Sequence, residues 1–274
     1  MDRLTEAAAL LTLLRDAKSW TGVVRDVEAV GSAVEVLRGA AKPEQGDLFG
    51  GETVGPETSE DSARQAIGEW ETAGLHLVTI LDAEYPQQLL TVHQRPPFLM
   101  YQGHLDSRDA GGVAIVGTRK ASPEGVHRAS LIATGLAERG VTVVSGLAAG
   151  IDTAAHSAAL HAGGRTVAVI GTGLRKAYPA QNRGLQEEIA RRHLVLSQFW
   201  PDAPPTKTSF PMRNAVMSGY SAATVVIEAE WRSGARMQAR LALEHGRPVF
   251  LLDTLLRHDW AQDYVGRGAV VVGG

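Results

Sequence analysis

Val113-Ala114-Ile115-Val116-Gly117-Thr118-Arg119 opens the part of the chain that decides the fold: an apolar run, then a glycine, a hydroxyl and a cation. The same form returns downstream. Val141 to Val144 runs into Ser145-Gly146-Leu147-Ala148-Ala149-Gly150, and Thr166 to Ile170 into Gly171-Thr172-Gly173. Leu194 to Leu196 runs into Ser197-Gln198, and Thr224 to Ile227 into Glu228-Ala229. Pro248 to Leu252 and Ala269 to Val272 add two further short apolar runs. Runs this uniformly apolar predict strands buried on both faces, as in a parallel sheet covered by helices. Most segments between them are long enough for the crossover helices that parallel connections need. The reading is an α/β fold over residues 108–274, with a Rossmann-like, doubly wound, mostly parallel sheet.

Upstream, Leu4, Ala8, Leu11, Leu14 and Ala17 recur three or four residues apart and predict an amphipathic helix. Val27, Val30, Val34 and Leu37 predict a second, and the two form a small helical module over residues 1–41. Residues 42–62 are rich in Gly, Pro, Glu and Asp without an apolar period, which reads as a flexible acidic linker. Ala63 to Ala73 reads as a helix, Leu75 to Leu81 as a strand, and Phe98 to Tyr101 as a short apolar run entered through Pro96 and Pro97. Residues 63–107 are expected to pack on the core as an extension of it.

With 44% hydrophobic and 21% charged residues the chain has ordinary globular composition. The absence of cysteine excludes a disulfide scaffold and thiolate metal sites, and fits a reducing compartment. Asp2, Arg3, Glu6, Arg15 and Asp16 interrupt the N-terminal apolar residues, so the layout of a signal peptide is missing. No apolar run approaches the roughly 18 residues of a membrane span. The expectation is a soluble, cytoplasmic protein. A net charge of -3 carries no global signal for nucleic acid. Six acidic residues lie between Glu44 and Asp61, however, and without them the remainder is slightly basic.

In a doubly wound sheet, ligands bind at the carboxyl ends of the strands where the strand order reverses. Small residues there let backbone N–H groups approach an anion, and helix N-termini add partial positive charge. A tight turn explains any one of these glycine loops as well. Three at one edge favour a phosphate-bearing ligand. The G-x-G-x-x-G pattern fails, because Lys176 stands where its third glycine belongs, and no G-x-x-x-x-G-K-[ST] loop is present.

Phe210-Pro211-Met212-Arg213-Asn214, with Lys207 before it and Ser218-Gly219 after it, sets cations on both sides of an aromatic ring. Cations neutralise phosphates, and a ring stacks on an unpaired base. On local sequence alone, Phe210 in a core and Arg213 in a salt bridge is the better reading. Arg232, Arg236 and Arg240, four apart, form one basic stripe if they share a helix, and a solvated face accounts for it equally well. Asp152 and His156 are an acid–base candidate pair on a predicted helix, but a carboxylate at a helix start is better read as a cap. Glu228 could contact a ribose, serve as a base, cap the next helix or pair with the arginines. No nucleophile, metal cluster or triad assembles, so an enzyme is not expected, and neither is a cofactor or metal.

Seven stretches taken in order resemble the DNA-processing protein A family of bacterial recombination mediators, also called DprA or Smf. They are YPQQLL, PPFLMYQG, VAIVGTRKASPEG, VTVVSGLAAGIDTAAHSAAL, GGRTVAVIGTGLRKAYPAQNRGL, FPMRNAVMSGYS and VVIEAEWRSGARMQARLALEHGRPVF, between Tyr85 and Phe250. The resemblance implies a homodimer without established turnover chemistry. Such a protein binds single-stranded DNA in a basic pocket, protects it, and helps load a RecA-type recombinase during natural transformation. By position it implies phosphate contacts from Arg119 and Arg213, Lys207 in the same pocket, and a base contact from Phe210. Ser145, Gly146, Gly173 and Asn214 would form its walls. Gly117, Thr118, Gly171, Gly219, Ser233 and Gly234 complete the candidate DNA- and phosphate-binding set.

The chain departs from the family where Ala149 and Ala215 replace expected arginines, a loss that weakens binding and flattens its salt dependence. Asp253-Thr254 replaces a proline-glycine turn, and the family's usual C-terminal winged-helix extension is missing. Two alternatives stay open. One is a nucleotide sensor or nucleotide-processing enzyme of the same superfamily, although only Ser233-Gly234 echoes the P-G-G-x-G-T-x-x-E segment of the phosphoribohydrolases. The other is an interaction scaffold that binds neither ligand.

Overall fold

The computed structural model describes residues 2–17, 19–40, 56–93 and 95–273. They form two compact units, Met1–Tyr85 and Pro86–Gly274. In the first unit lie α1 (Arg3–Asp16), α2 (Trp20–Val30), α3 (Ala33–Ala40), α4 (Pro56–Thr72) and a short strand, β1 (His76–Thr79). Where the apolar spacing predicts one helix through Val27 and Leu37, the structure has two. Gly31 takes φ +77°, which glycine alone adopts without strain, and its N–H closes α2 on the Val27 carbonyl. The Glu6 carboxylate then accepts from the Ser32 hydroxyl (2.7 Å) and the Ala33 N–H (2.7 Å), so a side chain of α1 caps the start of α3.

Residues 56–62, expected as linker, are the first turns of α4. Proline suits the opening of a helix, acidic residues favour its N-terminal end, and Glu60 pairs with Arg64 one turn on at 2.8 Å. The rest of that linker, 42–55, lies outside the described residues. β1 is shorter than expected, because the Asp82 carboxylate accepts from both the N–H and the hydroxyl of Thr79 and turns the chain.

In the second unit the elements run α5 (Gln87–Leu90), β2 (Phe98–Gly103), β3 (Val113–Val116), α6 (Pro123–Glu138), β4 (Val143–Ser145), α7 (Ile151–His161) and β5 (Thr166–Val169). Then come α8 (Arg183–Arg192), β6 (Leu194–Ser197), α9 (Ser209–Tyr220), β7 (Ala223–Val226), α10 (Gly234–Glu244), β8 (Val249–Leu252), α11 (Asp259–Gly266) and β9 (Val270–Val272). The strands of this unit lie in the order β2-β6-β5-β4-β3-β7-β8-β9. Neighbours from β6 to β9 are parallel, while β2 runs antiparallel to β6 with Met100 opposite Ser197. From β3 the chain builds outward through β4 and β5 to β6, then crosses back to lay β7 on the other flank of β3. That reversal makes the sheet doubly wound and Rossmann-like. Residues 86–107 fall in this unit because β2 joins its sheet, so the compact units part at Tyr85 and Pro86 rather than at either edge of residues 63–107.

Alanines decide how closely the helices approach. Ala129, Ala133 and Ala137 of α6 and Ala155 and Ala159 of α7 repeat every four residues and meet Ile115, Val143 and Val225 of the strands in one buried cluster. β9 breaks the rule of burial on both faces: it lies at the end of the strand order, with Val270 and Val271 exposed.

At the amino ends of the strands sits a buried carboxylate. Asp109 accepts from Arg165 Nε (2.6 Å) and Nη2 (2.8 Å), from the Tyr220 hydroxyl (2.9 Å) and from the Thr142 hydroxyl (3.0 Å). One side chain thereby ties together the entries to β3, β4 and β5 and the last turn of α9.

Candidate nucleic-acid interface

The carboxyl ends of β3 and β7, where the strand order reverses, enclose a cavity of about 470 Å³. Gly117, Thr118 and Arg119 follow β3 into it, Phe210, Arg213, Asn214 and Met217 reach it from α9, and Arg232, Ser233 and Gly234 follow β7. Beside it lies a smaller cavity of about 130 Å³, lined by Gly146, Ala149, Gly171, Tyr178 and Pro179 and sharing Arg119, Ala148, Phe210 and Arg213 with the first.

Phe210 is half-buried between the two cavities rather than lost in a core. Arg119 stands over its ring, 5.0 Å from the centroid, and the exposed Tyr178 ring lies 5.4 Å away. A Cβ at Gly171 would come within 2.8 Å of that ring, so glycine gives Phe210 its seat. Tyr178 was absent from the candidate set. Only its place in the AYPAQN stretch, an aromatic in a loop, could have marked it.

Arg213 is 5% exposed. Its Nη1 donates to the carbonyls of Gly146 and Val169 (the latter at 2.8 Å), at the ends of β4 and β5, and its Nε donates to Asn214 Oδ1 at 3.0 Å. The salt bridge expected from local sequence is replaced by these main-chain bonds. Its counter-charge is the buried Asp152, whose carboxylate accepts from the N–H groups of Gly146 (3.1 Å) and Ala148 (3.3 Å). Burial pushes the Asp152 carboxyl upward, opposed by the Arg213 charge. Burial pushes Arg213 downward, opposed by Asp152. A guanidinium stays charged through such shifts. Arg213 thus forms the floor of both cavities while holding two loops together, and Arg119 and Arg232 are exposed cations on the walls of the larger one.

Several loop donors expected to meet an anion are already engaged. Gly146 and Ala148 donate to Asp152, Thr118 N–H to the Glu228 carbonyl (2.7 Å) and Gly173 N–H to the Ala203 carbonyl (2.9 Å). The helix start that faces the large cavity is that of α10, where the Ser233 hydroxyl accepts from Ala235 N–H at 3.1 Å and Gly234 and Ala235 line the wall. Its positive dipole end favours a phosphate there.

The remaining candidates lie elsewhere. The buried Ser145 hydroxyl donates to the Ile115 carbonyl (2.7 Å) and binds β4 to β3. Gly173 abuts the main chain of Trp200 and Pro201, and Gly219 packs on Leu89 and Val92. Lys207 is exposed in the turn before α9 and lines neither cavity. Ala149 lines the small cavity, whereas Ala215 is buried in α9 and lines neither. The basic stripe dissolves: α10 starts at Gly234, so Arg232 precedes the helix, and Arg240 pairs with Glu244 at 2.7 Å. Glu228 caps a helix, but it is α6, whose Ser122 N–H it accepts at 3.0 Å.

His156 is fully buried with Nδ1 2.7 Å from the Thr166 hydroxyl. That hydroxyl donates to the Val143 carbonyl at 2.8 Å, so Nδ1 carries the imidazole proton. Burial above all, with the Arg213 charge, lowers its pKa from 6.5 to about 3. It therefore stays neutral and serves the core. Because the folded pKa lies below the unfolded one, the stability it protects is full above pH 6.5 and is lost as pH falls toward 3. Between pH 7.5 and pH 5 the loss is about 2 kcal/mol. Urea unfolding at both values is expected to show a shallower acid slope for His156→Gln; equal slopes would assign the acid sensitivity to other groups.

A DNA processing protein DprA of Streptococcus pneumoniae is 45% identical to this chain over 174 residues, 64% of this chain and 61% of that protein. The chain thus spans less than two thirds of that relative's length. The X-ray structure of the pneumococcal protein matches 99% of this chain and 93% of its own, with 32% identity and a TM-score of 0.72. A second similar structure, concerning the single-stranded DNA binding mode of DNA processing protein A from Helicobacter pylori, covers 72% of this chain and 91% of its own, at 29% identity and a TM-score of 0.63. Among the described residues no helix is long and apolar enough to cross a membrane. With its doubly wound sheet and its match over residues 76–270, the chain belongs to the DNA recombination-mediator protein A family.

Proposed function

We propose that this chain binds single-stranded DNA in the crevice between the ends of β3 and β7. The observation that carries the reading is the Phe210 ring with the Arg119 guanidinium over it, beside a cavity whose other exposed cation is Arg232. A ring accepts any base, and cations beside it neutralise the backbone. Family membership and the DNA-binding mode named for the Helicobacter relative support the same ligand. The wider role that follows is that of a cytoplasmic homodimer that protects incoming strands and passes them to a RecA-type recombinase in natural transformation. Turnover chemistry is no part of this role: Asp152, His156 and Glu228 each have a structural task already.

Fluorescence anisotropy with a labelled single strand tests the reading. Arg119→Ala and Arg232→Ala are each expected to weaken binding several-fold at low salt and to flatten the slope of log K against log salt by about 0.7, one phosphate contact apiece. Absence of binding at low salt would sink the proposal. If thermal shift responded to mononucleotides and not to oligonucleotides, the crevice would belong to a nucleotide sensor instead.

A further inference from the structure

The large cavity does not end at Arg232 and Ser233. Both residues also line a neighbouring cavity of about 300 Å³, whose other walls include Trp231, Arg236, Arg240 and Tyr264. Trp231 is 58% exposed, an uncommon state for a ring that usually buries most of its surface. It is nonetheless held in place. The Arg236 guanidinium lies 3.8 Å from the ring centroid, and Arg236 Nη1 donates to the Trp231 carbonyl at 3.0 Å. The Tyr264 hydroxyl donates to the Arg236 carbonyl at 3.3 Å and anchors this part of α10 to α11. A cation covers one face of the indole, and much of the rest is open to solvent.

A packing role would bury the indole. A protein-docking patch would surround it mainly with apolar side chains. Three of the side chains that line this cavity are arginines and none is acidic, the neighbouring Glu230 lining the large cavity instead. Arg240 is engaged by Glu244, whereas Arg232 is exposed at the junction of the two cavities. A flat ring backed by a cation and flanked by another is a stacking platform for an unpaired base, tolerant of sequence because every base has a π-face.

We infer that a nucleic-acid strand leaving the crevice passes over Ser233, with Arg232 on the connecting phosphate, and stacks its next base on Trp231. The inference rests on the crevice taking single-stranded DNA. It adds a second nucleotide subsite and gives the strand an exit toward α11.

Anisotropy with labelled oligothymidylates of graded length, on the full chain, tests it. Trp231→Ala is expected to lose about tenfold in affinity for long strands and nothing for the shortest strand that still binds. Trp231→Phe retains most of the affinity. The salt slope of Trp231→Ala stays that of the parent, because no phosphate partner is removed. If the parent binds long strands and Trp231→Ala binds them equally well, the platform is overturned while the crevice reading stands, and the exposed ring belongs to a protein partner. If the parent binds no strand of any length, the crevice reading itself falls and takes the platform with it.

Discussion

Replacing Arg213 by methionine is expected to cost about 3–5 kcal/mol of folding stability, a large share of the roughly 5–15 kcal/mol that holds an ordinary domain together. The side chain is buried, and its Nη1 bridges the carbonyls that end β4 and β5. Methionine fills similar volume but leaves both carbonyls and the Asp152 carboxylate without their cation. Arg213→Lys is expected to restore little, since a point ammonium cannot reproduce the planar fork. A double variant, Arg213→Met with Asp152→Leu, is expected to lose less than the single one, because it removes the stranded charge as well. Urea denaturation of the three variants checks this. A loss under about 1 kcal/mol for Arg213→Met would show that the guanidinium holds nothing together.

At the opposite ends of the strands, Asp109→Ala is expected to cost a comparable 3–5 kcal/mol. Its carboxylate is the shared acceptor of Arg165, Tyr220 and Thr142, and the substitution leaves a largely buried guanidinium and a buried phenol facing a void. Tyr220 adds a signature in alkali. Burial, then the Asp109 charge, raises its pKa well above 10. The unfolded phenol ionises near 10 and the folded one later, so stability is full below about pH 10 and declines as pH rises beyond it. Tyr220→Phe is expected to be less stable at neutral pH yet to lack that decline. Chemical unfolding between pH 8 and pH 11 separates the two effects.

The strands of the second unit were legible because burial on both faces leaves little room for polar residues. Leu194-Val195-Leu196 and Val113 to Val116 read as strands for that reason, and the loops after β3 and β7 fell in the cavity as the sheet topology demands. What failed to show depended on contacts between distant segments. Arg213 looks the same in sequence whether it faces a phosphate or the carbonyls of Gly146 and Val169, which arrive from two other strands. The glycine loops suggested free backbone donors, yet an acid six residues on, Asp152, takes the N–H of Gly146. Arg232 read as helical because its spacing to Arg236 is right; only the Ser233 cap, two residues before Ala235, ends that reading. Gly31 and Pro56 were visible punctuation marks, obscured by an apolar spacing in one case and an acidic run in the other.

The pairing of β3 with β7 sets the order in which this molecule can mature. Val113 lies opposite Ala223, more than a hundred residues later, while β4, β5 and β6 follow β3 at short range. Closing so long a segment costs more chain entropy than the short joins of β4, β5 and β6. The walls of the crevice come from both sides of that join. Until it closes there is no crevice, so a partly made or partly unfolded chain can hold much of its sheet and still have nowhere to put a strand.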